Sequence, residues 1–169
     1  MSSEAISQVT EANVGMDTLA SLADTSAEGA NQHGLAGTDA EGNVQTPEEA
    51  AVGISASIDG EIATAAGLAL DGDIEGARAA MGRANHTAQD QDADSHGPSQ
   101  QYRGVRTPYG EIRSHIRNDR NLTGRERAAG VSATRAVHGA TMAAIQSEGS
   151  ARGLSDAAIA GAIDRFNGQ

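Results

Sequence analysis

Apolar residues in this chain recur at three- and four-residue steps inside a few windows and thin out between them, the pattern of amphipathic helices joined by polar connectors. Over 4–24, Ile6, Val9, Met16, Leu19, Ala20 and Ala23 keep mostly helical spacing, with Ser3 as a cap and Glu4 in the first turn. Residues 25–45 are rich in Gly, Asn, Asp and Ser and predict an irregular arm. Thr46-Pro47-Glu48-Glu49 then combines a threonine cap, a proline at the first helical position and a glutamate three residues after the cap. A helix therefore starts at 47, its buried stripe running Ala51, Ile54, Ile58, Ile62, Ala65, Ala66 and Ala69. After the break at Asp71-Gly72-Asp73, a second stripe of Ile74, Ala77, Ala80, Met81 and Ala84 predicts the return arm of a helical hairpin.

From 85 to 107 the polar residues dominate again and predict a linker. Thr107-Pro108 repeats the cap-plus-proline start and opens a short helix carrying Tyr109, Ile112 and Ile116. Thr123 and Glu126 form a further capping box, opening a helix to about Gln146 that Gly149 would end. The last helix starts at Ser155, presents Ile159, Ala162, Ile163 and Phe166, and stops at Gly168. Together these elements predict a mainly α fold: about five helices in two helical lobes joined by long irregular segments, with no significant sheet. The segments are an N-terminal helix and acidic arm (1–45), a helical hairpin (46–88), a linker (89–106) and an arginine-rich helical lobe (107–169). Gly72–Ala84 resembles the second helix of a tetratricopeptide unit, but no second copy follows, which implies an ordinary hairpin rather than a repeat array.

Composition changes the picture in one respect. Leu, Ile, Val and Phe make up only 25 of 169 residues, while alanine supplies 33 and glycine 21. Small residues bury little apolar area against an ordering cost of about 1–2 kcal/mol per residue, so the expected core is thin and completed by an interface. Cysteine is absent, which excludes disulfides and thiolate metal sites. No signal peptide and no run long enough to span a membrane is present, so a virion or cytoplasmic setting is expected.

Charge is divided unequally. Residues 1–77 hold fourteen carboxylates and no cation, whereas 78–169 hold twelve arginines against nine carboxylates. Seven of those arginines fall between 103 and 127, and Arg113, Arg117 and Arg120 share one helical face. Guanidinium forks suit carboxylates and phosphates alike. The overall charge of -11 and the scarcity of aromatic stacking platforms favour an acidic protein surface over nucleic acid.

Catalytic and cofactor signatures are missing. Asp90-x-Asp92-x-Asp94 begins like a calcium loop, but Ser95 stands where glycine is needed and no twelfth-position glutamate follows. His33, His86, His96, His115 and His138 show no metal-binding spacing, so no metal and no cofactor is expected. Neither a nucleophile elbow nor a phosphate loop occurs, and neither an enzyme nor a small-molecule substrate is expected. The sequence thus points to a structural subunit of a larger symmetric assembly, with a tailed-phage virion as the most economical setting. Its expected contacts with other protein subunits are Arg103, Arg106, Arg113, Arg117 and Arg120 together with the apolar face Ile159, Ile163 and Phe166. The alternative is an adaptor that binds nucleic acid through the arginine-rich half.

Overall fold

A computed structural model describes residues 1–16, 24–91, 97–102 and 123–169. It contains, in chain order, α1 (Ser3–Val14), α2 (Ala27–Gln32), β1 (Leu35–Ala36), α3 (Pro47–Asp71), α4 (Ile74–Gln91), β2 (Gly97–Gln101), α5 (Gly124–Ala151) and α6 (Asp156–Asn167). The mainly α expectation holds: the only sheet among the described residues is a two-stranded parallel pair, β1 with β2.

Local chemistry sets the helix ends. Thr46 and Glu49 form the reciprocal capping box that starts α3, and Thr123 and Glu126 do the same for α5. Ser2 caps α1, one residue earlier than the sequence suggests, and Ser155 caps α6. Gly72 ends α3 in the left-handed conformation at φ 89°, which a side chain would strain, and frees Asp73 to accept from the Gly76 amide at 3.0 Å and start α4.

The α3–α4 hairpin is the centre of the molecule. α1 packs on α4, and α5 and α6 pack on α3 and α4. One continuous apolar cluster joins Val9 of α1, Ile62 of α3, Met81 of α4, Ile145 of α5 and Phe166 of α6. The two lobes expected from the sequence therefore share a single core, because the arginine-bearing helix carries a buried stripe of Val137, Thr141, Ile145 and Gly149 that closes over the hairpin. Eleven of the twenty buried hydrophobic residues among those described are alanine, so the core is made by close backbone approach more than by large side chains. Among the described residues this core closes within one chain.

Arg78 links three helices inside this arrangement. Only 6% exposed, it donates from Nε to the Phe166 carbonyl at 2.9 Å, from Nη2 to the Arg165 carbonyl at 2.7 Å and from Nη1 to Gln8 Oε1 at 2.6 Å. A guanidinium thus sits on the negative end of the α6 dipole and fixes α1 beside it. At the other end of α5, Arg152 pairs with Glu148 and reaches Asp71 of α3.

Three local expectations change. Residues 25–45 are not an irregular arm: α2 and β1 form there, and Gly29, Ala30, Asn31, His33 and Gly34 are buried. α4 runs on into the expected linker as far as Gln91, burying Asn85, His86 and Thr87. Gly149 does not end α5 but lies inside it, where an added Cβ would stand 2.6 Å from Ile159 Cγ1. In each case polar or small residues that read as connector are ordered by packing against the hairpin.

Candidate functional site

Of the residues expected to meet a partner, Arg103, Arg106, Arg113, Arg117 and Arg120 lie outside the described residues, as does the short helix beginning at Thr107-Pro108. The terminal apolar face is described, and it is not a docking face. Ile159 and Phe166 are fully buried in the chain's own core and Ile163 packs against that core, because α6 turns its stripe inward onto α3, α4 and α5.

A different surface is presented by the first half of α5. None of residues 123–136 is buried, and Val131 is 52% exposed. This half-helix, α1 and the end of α4 enclose two cavities of about 610 and 580 Å³ that share Gln89, Thr134 and Arg135 and so form one groove. Polar bonds brace the groove across its helices: Asn13 Nδ2 donates to Gln89 Oε1 at 3.1 Å, and Gln89 Nε2 donates to Thr134 Oγ1 at 2.9 Å. Ile6, 53% exposed, and Val131 supply apolar edges, and Arg127 and Arg135 line the α5 side.

The second constellation is buried. His33, the C-cap of α2, brings its Nδ1 to 3.1 Å from His86 Nε2 of α4 and 3.6 Å from Asp90 Oδ2, while His86 Nε2 lies 3.2 Å from the same carboxylate oxygen. His86 and Asp90 share a helix face because they are four residues apart. His33 reaches them through its neighbours. Gly34, at φ 66°, lets the chain pass so close to α4 that a Cβ would meet the Gln91 amide nitrogen at 2.8 Å, and Thr87 Oγ1 donates to the Gln32 carbonyl at 2.9 Å. β1 then pairs with β2, and the Tyr102 amide donates to the Ala36 carbonyl at 2.8 Å. That places the Tyr102 ring against His33, centroids 5.5 Å apart and planes 20° from parallel. His33 and His86 are 3% and 5% exposed.

Nearby, the Asp24 carboxyl is held below the usual range, first by the Ser26 hydroxyl, then by the Ser26 amide, with a smaller contribution from His33. Sequence spacing did not reveal the cluster, since His33 is 53 residues from His86 and the histidines show no common repeat. The available signals were the four-residue step from His86 to Asp90 and the His33-Gly34 pair in a segment that reads as loop. Asp92, Asp94, His96 and His115 lie outside the described residues. No family model, curated protein or solved structure matches the chain.

Proposed function

We propose that the chain is a non-enzymatic structural subunit that associates with copies of itself, head to tail, into a larger symmetric assembly, for which a virion remains the most economical setting. The observation that carries this reading is the α1–α4–α5 groove, with apolar edges at Ile6 and Val131 and Arg135 shared by both of its cavities. Its complement is on the opposite half of the charge distribution. The outer face of α3 exposes Glu48, Val52 and Asp59 at helical spacing, and Val52 is 71% exposed, the most exposed large apolar residue among those described.

An acidic stripe with a valine at its centre fits an apolar groove bearing arginine, both in charge and in the pairing of Val52 with Val131. Because groove and stripe are different surfaces, the contact is heterologous and propagates to a ring or an open filament instead of stopping at a dimer. Desolvated apolar edges supply the adhesion, and the charges set orientation and partner choice.

The test is molecular mass by sedimentation across a concentration series at low and high salt. Species larger than the monomer are expected to grow with concentration and to recede as salt screens the arginine–carboxylate contacts. A strict monomer at every concentration at low salt would reject self-association. Salt-sensitive retention of DNA or RNA by the monomer would instead favour the adaptor alternative.

A further inference from the structure

We infer that His33, His86 and Asp90 form a binding site for one divalent first-row transition-metal ion, which staples the 24–45 segment to the end of α4. The inference is independent of self-association and rests on the geometry of three donor atoms from two separate elements. Their mutual distances are 3.1, 3.2 and 3.6 Å. A tetrahedral ion bonded at about 2.0–2.1 Å to nitrogen and oxygen holds its ligand atoms about 3.4 Å apart, so the three separations are ones that a single ion spans.

Protons alone leave one edge of this triangle unfavourable. If both facing ring nitrogens carry hydrogen, each can donate to Asp90, but two N–H groups then oppose each other at 3.1 Å. If only one carries hydrogen, it can bridge to the other ring nitrogen at 3.1 Å, but that nitrogen's lone pair then faces the carboxylate oxygen at 3.2 or 3.6 Å. A cation turns all three edges favourable at once, and it neutralises the Asp90 carboxylate in a setting where both imidazoles are nearly removed from water.

Donor chemistry narrows the ion. Two imidazoles and one carboxylate suit zinc, cobalt, nickel or ferrous iron, whereas calcium and magnesium favour all-oxygen shells. The surroundings fit a positioned set. Thr87 pins the carbonyl before His33, Gly34 permits the close pass over α4, and the Tyr102 ring stacks on the His33 imidazole. An ion here would cross-link α2 and β1 to α4, ordering the polar N-terminal segment that has few large apolar residues to hold it.

The experiment uses the full untagged chain, stripped with chelator and titrated separately with Zn²⁺, with Fe²⁺ under anaerobic conditions, and with Ca²⁺, reading stoichiometry by calorimetry and elemental analysis. Co²⁺ serves as an optical probe of low-coordinate nitrogen ligation. Expected are one transition-metal equivalent per chain, a rise in thermal midpoint reversed by chelator, and loss of binding in His33→Gln and His86→Gln, with His138→Gln binding as wild type. The arm that binds more tightly distinguishes zinc from iron. Should the buried histidine variants fail to fold, the near-isosteric and partly exposed Asp90→Asn decides, with an expected loss of about tenfold or more in affinity. The site is overturned if the wild-type chain binds no Zn²⁺ or Fe²⁺, if Asp90→Asn binds as tightly as wild type, or if Ca²⁺ competes equally.

Discussion

Replacing Arg78 with methionine tests how the helices are held together. The substitution keeps much of the aliphatic stem but removes three charge-assisted donors, to the carbonyls of Phe166 and Arg165 and to Gln8 Oε1. Such bonds contribute about 1.5–3 kcal/mol each, and losing them removes this partner from the buried Phe166 carbonyl and from the Arg165 carbonyl, which keeps the Gly168 amide. Part of that cost is offset because a buried guanidinium no longer has to be desolvated. The expected net destabilisation is about 3 kcal/mol, a large share of the roughly 5–15 kcal/mol that holds a typical domain together. Arg78→Lys should lose about half as much, since a single ammonium cannot span all three acceptors.

Arg83→Met is the internal control. Arg83 makes a two-pronged pair with Glu61, both contacts at 2.8 Å, but the side chains are 35% and 24% exposed, so the expected cost is about 0.2–1 kcal/mol. Urea unfolding followed by far-ultraviolet circular dichroism, with equal slopes required for comparison, gives both numbers. If Arg78→Met costs no more than Arg83→Met, burial does not decide the strength of these contacts.

Two glycine-to-alanine changes on the hairpin should have opposite signs in the same unfolding assay. At Gly60 nothing lies within 4 Å of an added Cβ, and Gly60→Ala is expected to stabilise by about 0.5–1 kcal/mol through helix propensity. At Gly82 the added Cβ would stand 2.6 Å from Ala12 Cβ and from the Val9 carbonyl oxygen, and Gly82→Ala is expected to destabilise by about 1–3 kcal/mol as α1 is pushed off α4. A stabilising Gly82→Ala would mean that α1 does not pack as described. The Asp39 turn should be acid-labile. Its carboxyl is held below the ordinary range by the Asn43 amide first and the Asn43 side chain second, and a lowered folded pKa means support that is present above about pH 4 and is lost as pH falls through that lowered value. Chemical-shift titration of Asp39 and Asn43 should give a midpoint below that of a free aspartate, and a midpoint at or above it would contradict the turn geometry.

Much of the helical frame was legible from local rules. The capping boxes at Thr46/Glu49 and Thr123/Glu126, the Gly72 break, the Ser155 start and the Gly168 stop are short-range chemistry, and all appear where the residues predict them. The hairpin stripes of Ile54, Ile62, Ala77 and Met81 follow from periodicity and are buried. What failed was everything fixed at long range. Ile159 and Phe166 formed a convincing stripe, but periodicity cannot say whether a stripe meets its own chain or a partner, and here α6 closes on the hairpin. Alanine misled in the same direction, because counting large apolar residues undervalues close backbone approach of the kind seen at Gly82 and Gly149.

Candidate sites were harder still. Ala27–Gln32 and Leu35–Ala36 are polar or short segments whose order comes from contact with α3 and α4, so His33 could not be placed beside His86 from spacing. The groove depends on which half of α5 stays uncovered, and residues 123–136 are that half.

Docking of the α3 stripe of one copy in the α1–α4–α5 groove of the next is open to a charge-reversal experiment read as molecular mass at low salt. Arg135→Glu and Glu48→Arg should each leave the chain monomeric. Mixing the two variants, or combining both changes in one chain, should restore wild-type association, because each groove then meets a stripe of opposite sign. Single variants that assemble as wild type, or a mixture that stays monomeric while wild type associates, would contradict it.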